Sequence, residues 1–388
     1  MTEQKLKEKY GLITAIAMVI GIVVGSGVFF KAEKVLTATG GDMKIGILAW
    51  VLGGLNMVIC AYTFAVMASE YVYVNGLVDY AEATVGKKYA YAIGWFAAII
   101  YYPTLTSVLA WVSARYICVL LGWSIVGSEA MILAGFLLVA SFAVNTLSPV
   151  LAGKFQVTTT VIKLVPLLLM GIVGVIVGLS NGMTVSNFSG AVYEVNKGSA
   201  LFIGVCATAF AYEGWIIATS INSEIKNAKK NLPRALVFGT LVIMLIYIVY
   251  YVGLTGAVEN AQLMENGEAG VMVAFTNVFT QVGGVLLMVF VIISCLGTLN
   301  GLMLGCCRGL YSLAARDLGP KPDCLKSVDP KTNMPANAAI CGVLLCAFWL
   351  LYFYGANLAE TPWFGPFSFD SSELPIITLY LLYIPIFI

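Results

Sequence analysis

The chain reads as a succession of long apolar runs, most of them separated by short stretches rich in turn residues or charge. A hydrocarbon core of about 30 Å takes ~20 apolar residues of helix. On that measure ten segments stand out: 11–36, 45–67, 89–121, 129–147, 155–179, 199–221, 235–256, 276–312, 335–355 and 374–388. This pattern predicts an all-α membrane protein in which 1–388 form one transmembrane domain. The stretch 1–10 is basic and precedes an apolar run, as in a secretory signal. No small-residue cleavage site follows, however, so the run is read as a retained first helix. The last segment, Leu374 to Ile388, stops on an apolar side chain with no polar flank, which predicts a helix cut short.

Charge sets the expected orientation. With the N-terminus placed in the cytoplasm, fourteen Lys and Arg fall in cytosolic loops, from Lys5, Lys7 and Lys9 through the group at 226–234 to Lys331. Only Lys31, Lys34, Lys44 and Lys197 fall outside, and Arg115, Lys163 and Arg308 lie within segments. That asymmetry predicts a multi-pass protein of the plasma membrane with a cytoplasmic N-terminus.

Composition excludes several classes. The chain is 60% hydrophobic and 11% charged, with a mean hydropathy of +0.92, far from the mixture of soluble domains. A formal charge of +1 gives no nucleic-acid footprint. There are nine cysteines without a CxxC pair and no histidine, which argues against structural zinc, haem and His-based triads; no cofactor is expected. No phosphate-binding loop of the Walker type is present, which argues against an ATP-driven pump. A channel would call for a continuous polar pore, whereas the polar elements here gather at two places. An intramembrane enzyme would have only carboxylates, thiols and hydroxyls to work with, and none is expected.

Those two places are broken helices. The first segment holds Gly21-Ile-Val-Val-Gly25-Ser26-Gly27, and each glycine inside a helix costs about 1 kcal/mol relative to alanine. Gly21 and Gly25 also form a small-xxx-small pair suited to close helix packing, and the two readings are compatible. The sixth segment carries Phe210-Ala211-Tyr212-Glu213-Gly214, an ionisable residue beside a glycine at mid-span. Segments one and six correspond if the chain is two halves of five helices, 11–179 and 199–388, the second inverted because five is odd. Interrupted helices at equivalent places point to a midplane substrate site. The amides of Ser26 and Gly27 suit a carboxylate, and carbonyls near Ile22 and at Phe210 and Ala211 suit an ammonium, so the ligand chemistry is that of a small zwitterion.

At these residues the sequence resembles the amino acid-polyamine-organocation superfamily, and within it the L-type amino acid transporter branch. The resemblance is carried by Gly25-Ser26-Gly27-Val28-Phe29, by Phe210 to Trp215, by Ser223-Glu224-Ile225-Lys226-Asn227 with Asn231-Leu232-Pro233-Arg234-Ala235, and by Ser294 to Gly301. It implies a LeuT-like 5+5 inverted repeat with helices one and six broken, working by alternating access. It further implies a carboxylate site at Gly25, Ser26 and Gly27, an aromatic gate at Phe210, and Leu105 and Leu109 facing the substrate side chain. The family carries twelve helices where ten are counted here. Animal light chains of the branch carry a cysteine between helices three and four for a heavy subunit; 122–128 has none, so no heavy-chain partner is expected. The chain resembles the stand-alone bacterial exchangers of small neutral amino acids, some of which carry an acid where Glu213 stands.

Lys163 sits about nine residues from either end of the fifth segment, too deep to snorkel, and is expected to point into the bundle. The resemblance places it where sodium-coupled relatives hold a cation, able to donate to carbonyls of 21–25 and to the hydroxyl of Ser294. A tethered cation there implies sodium-independent antiport of alanine, serine or cysteine. A buried lysine can also lose its proton, so proton-coupled uptake is the alternative, as are cationic amino acids or polyamines with Glu213 as counter-ion. Arg115 is read as an interfacial anchor, Arg308 as a cation near a cytosolic end, Glu259, Glu265 and Glu268 as part of an outer lid, and Asn187-Phe188-Ser189 as an outward-facing sequon.

Overall fold

A computed structural model describes residues 6–125 and 127–388; Lys5, counted among the cytosolic cations, lies outside them. The first segment is two helices, α1 (Leu12–Val23) and α2 (Gly27–Ala38), bent by 44° across Val24-Gly25-Ser26. Then come α3 (Met43–Glu70), the short helices α4 (Gly76–Thr84) and α5 (Lys87–Trp95), α6 (Tyr102–Leu121), α7 (Ser128–Leu147) and α8 (Pro149–Ser180). The short helix α9 (Met183–Phe188) leads into α10 (Lys197–Ala209), and α11 (Ala228–Ala257) follows after a 3-10 stretch, Trp215–Glu224. The chain continues through α12 (Asn260–Asn266), α13 (Glu268–Ala314), α14 (Pro322–Leu325), α15 (Ala336–Phe353) and α16 (Leu374–Phe387).

Among the described residues seven helical runs are long and apolar enough to cross a bilayer, and the bent α1–α2 pair makes an eighth. Two of the ten expected segments differ from that pattern. Segment six is the thirteen-residue α10 followed by a break and the 3-10 stretch, and segment ten is the fourteen-residue α16. Segment eight begins earlier than its apolar run, at Glu268, and turns at Phe279 and Thr280, which leave helical geometry with Thr280 at φ 65°.

Proline explains the irregular turn in segment three. Pro103 has no N–H and crowds the carbonyl four residues back, and just ahead of it the helix widens into a π turn, Phe96–Tyr101. The Ile99 carbonyl that Pro103 cannot satisfy accepts instead from the Trp349 indole N–H at 2.7 Å. The turn brings Tyr101 to the middle of the molecule, fully buried.

The core is a bundle in which α13 packs on α6, α7, α8 and α15, while α11 packs on α3 and α8. Among the described residues the extended pairing is a single parallel bridge, Tyr10 with Ile225. Its hydrogen bonds run from the amides of Lys9 and Tyr10 to the Glu224 carbonyl, 2.8 and 3.0 Å, and from the Lys226 amide to the Tyr10 carbonyl, 2.8 Å. The segment ahead of α1 is thereby stitched to the end of the 3-10 stretch.

Candidate substrate site

The two breaks face each other. At the first, Val24 leaves helical geometry (ψ 84°) and, among the described residues, no backbone carbonyl accepts from the amides of Ser26, Gly27 or Val28. The Ser26 amide faces the Cys295 sulfur, and those of Gly27 and Val28 are free donors of the α2 N-terminus, which suit a negative group. At the second, Gly214 sits at φ 109°, in the left-handed region that favours glycine. A Cβ there would lie 2.8 Å from the Ile22 side chain, so Gly214 permits both the turn and the close approach of the two breaks.

Between them lies a narrow cavity of about 30 Å³. Since ~10–15 Å³ of such space holds one water, it has room for about two. Ile22, Gly25, Ser26, Gly27, Leu105, Leu109, Phe210 and Glu213 all line it. Of the expected contact residues Ala211 alone does not: it is buried behind the wall against Gly27. Its carbonyl accepts from the Tyr247 hydroxyl at 3.1 Å, and the same hydroxyl reaches the Val23 carbonyl at 3.2 Å. Sequence reading missed Val23, Gly214, Thr298, Leu302 and Ile376, which complete the lining. Thr298 and Leu302 follow Ser294 at helical spacing on α13 and were findable from that motif, whereas nothing local marks Ile376. Phe210 is half-buried at one edge, with the Lys31 ammonium 5.3 Å above its ring.

Glu213 is the one acid among the lining residues. One carboxylate oxygen accepts from the Tyr101 hydroxyl, which the π turn ahead of α6 delivers, and the other is buried without a well-aligned donor, although the Tyr380 hydroxyl and the Gly214 amide face the carboxylate. A buried carboxyl oxygen left open carries a cost of about 1–3 kcal/mol that a donor from a ligand would remove.

Lys163, fully buried on α8, reaches the back of the first break. Its ammonium donates to the carbonyls of Gly21 (2.7 Å), Val24 (2.6 Å) and Ser294 (2.9 Å) and lies 3.3 Å from the Thr298 hydroxyl. The expected bond to the Ser294 hydroxyl is corrected: the ammonium takes the Ser294 carbonyl, and the hydroxyl itself donates to Val24 and Gly25 carbonyls at 3.0 and 3.2 Å. An ammonium has only donors and no acceptor, so a collar of carbonyls left by a broken helix is the partner it needs. Gly21 shows that the packing reading holds as well, because a Cβ there would run into Thr160 and Gln156 of α8.

Peripheral residues gain partners. Arg308 is 1% exposed and bound to Glu224, which also pairs with Lys9 at 2.9 Å, so it is a buried structural cation. Arg115 pairs with Glu268 at 3.1 Å beside the Trp111 and Tyr116 rings. Asn187 of the sequon is buried, its amide donating to the carbonyls of Thr255 (2.6 Å) and Val258 (2.9 Å), so it offers no acceptor for a glycan.

A helical bundle whose first span breaks around a lined cavity defines a membrane transporter of the LeuT fold. The fold is similar to that of MhsT in complex with L-phenylalanine, at TM-score 0.64 with 12% identity over 98% of this chain and 89% of that one. It is also similar to the nucleobase-cation-symport-1 family transporter Mhp1, at TM-score 0.58 with 13% identity over 92% and 78%. The amino acid permease family profile matches residues 10–385, and the chain belongs to that family, within the L-type-like branch of the amino acid-polyamine-organocation superfamily. Among relatives, the serine/threonine exchanger SteT of Bacillus subtilis (strain 168) is 31% identical over 383 residues, covering 98% of this chain and 82% of its own. The human b(0,+)-type amino acid transporter 1 is 25% identical over 355 residues, 89% of this chain and 70% of its own.

Proposed function

We propose that this protein is a sodium-independent exchanger of small neutral L-amino acids such as alanine, serine and cysteine. In this reading the halves 11–179 and 199–388 are inverted repeats, the N-terminus is cytoplasmic in the plasma membrane, and no heavy subunit is required. The observation that carries it is the Lys163 ammonium seated among the carbonyls of Gly21, Val24 and Ser294. A bound cation would use such carbonyls, and a covalently held one leaves no vacancy for a gradient to fill. The carrier then cycles when an amino acid occupies it on each side. The substrate carboxylate binds the amides of Ser26 and Gly27, and Ile22, Leu105, Leu109 and Phe210 crowd the side chain, which favours small ones. Support for exchange and for a small substrate also comes from the relative named a serine/threonine exchanger.

The open oxygen of Glu213 favours a second reading, in which a cationic amino acid or a proton is taken up against that carboxylate. Proteoliposome uptake separates the two. Labelled alanine should enter vesicles preloaded with alanine at least tenfold faster than empty ones, equally with and without sodium, and Lys163→Ala should lose most of that flux. Uptake that needs sodium or a proton gradient, or that proceeds equally into empty vesicles, refutes the exchanger. Stronger competition by lysine than by serine would transfer the assignment to the second reading.

A further inference from the structure

A second and larger hollow, of about 750 Å³, opens on the side of the bundle. Its walls are single helical faces: Leu12 and Ile16 of α1; Tyr62, Ala65, Val66 and Ser69 of α3; and Pro233, Arg234, Val237, Phe238 and Leu241 of α11. Each set follows the three-to-four-residue spacing of one helical face. The lining is apolar over most of its length. Ser69 lies at the last turn of α3 and Arg234 in the second turn of α11, so apart from the Tyr62 hydroxyl the polar side-chain atoms gather at one end. At that end no carboxylate joins the lining; Arg234 is its one charged side chain and makes no ion pair or hydrogen bond among the described residues. Lys230, exposed and four residues earlier on α11, adds a second cation on the same helical face.

We infer that this groove binds an anionic glycerophospholipid, with an acyl chain along the apolar trough and the headgroup phosphate on Arg234 and Lys230. Charge complementarity selects the occupant. A guanidinium binds phosphate through a two-pronged pair of hydrogen bonds, and an apolar trough that ends in unpaired cations matches a molecule that is greasy behind and anionic in front. The cations lie at the cytosolic ends of α3 and α11 in the orientation of the proposed function, where anionic headgroups meet basic side chains. In this respect the inference rests on that reading. The hollow is distinct from the substrate cavity, and the two share no lining residue. Because Leu12 and Ile16 belong to α1, a seated chain also touches the half-helix that ends at the first break.

Native mass spectrometry of the detergent-solubilised protein, titrated with phosphatidylglycerol or phosphatidylcholine of identical chains, tests this without any transport measurement. Failure here is thereby kept apart from failure of the exchanger reading. The wild type should retain one phosphatidylglycerol at concentrations at least tenfold below those needed for phosphatidylcholine. Arg234→Gln with Lys230→Gln should erase the preference, Arg234→Lys should keep part of it, and Val66→Trp, which fills the trough, should cut retention of both lipids. Equal retention of the two lipids by the wild type, or a preference that survives the double charge variant, overturns the proposal. Should Val66→Trp fail to fold, the charge variants, at exposed positions, decide alone.

Discussion

Gly214 shows how much one residue can hold. Its φ of 109° is a conformation that costs an L-residue about 1–2 kcal/mol, and the space beside it is already filled by Ile22. Gly214→Ala is expected to lose ~2 kcal/mol or more of stability and to raise the KM for substrate at least tenfold, since Ile22 lines the cavity; thermal inactivation and uptake kinetics check the two effects. The sequence made this position conspicuous, because a glycine beside an acid at mid-membrane depth weakens the helix where the acid already needs a polar partner. Lys163 was legible for a similar reason, as the cost of a buried charge implies a partner. What could not be read was which oxygen it takes. The choice of the Ser294 carbonyl over its hydroxyl depends on the rotation of α13, to which a single sequence is blind. Glu224 shows the same limit from the other side. As part of a motif it was visible, but its pairing with Lys9 and Arg308 joins residues 215 and 84 positions away.

At the scale of elements, periodicity located the spans, and the glycine clusters marked the breaks in segments one and six. The segments at 45–67, 129–147, 155–179, 235–256 and 335–355 each became a helix that contains most or all of its run, because length and apolarity alone decide such spans. In segment three Pro103 marks the irregular turn, but the donor that takes up the freed Ile99 carbonyl is Trp349, 246 positions further along the chain. Trp349→Phe should cost about 1–3 kcal/mol, as it leaves the Ile99 carbonyl unpaired in a low-dielectric interior. In a Pro103→Ala background the same change should cost less, because α6 can then satisfy that carbonyl itself. Thermal inactivation of the two single variants and the double variant in detergent gives the coupling directly, and strict additivity would show that the two residues do not share the carbonyl. The non-helical pair at Phe279 and Thr280 in α13 has no proline or glycine at the bend itself, so it left no local mark.

Across the whole molecule, the cluster of Lys9, Glu224 and Arg308 joins the segment before α1 to the end of the 3-10 stretch and to α13. Removing one partner of a buried ion pair strands the other, at a cost of about 3–5 kcal/mol. Glu224→Gln is therefore expected to lose that much, whereas Glu224→Leu combined with Arg308→Met should recover most of it; the recovery of folded protein after heating in detergent measures both. A double variant as unstable as the single one would mean that the charges serve more than each other. The backbone stitch between Tyr10 and Ile225 lies beside this cluster and has a practical side. On the alternating-access reading, the half-helix α1 moves as one side opens, and the stitched pair Lys9 and Tyr10 just ahead of it is the handle by which it would be pulled. An affinity tag or a fused fluorescent domain attached at that end would load the handle.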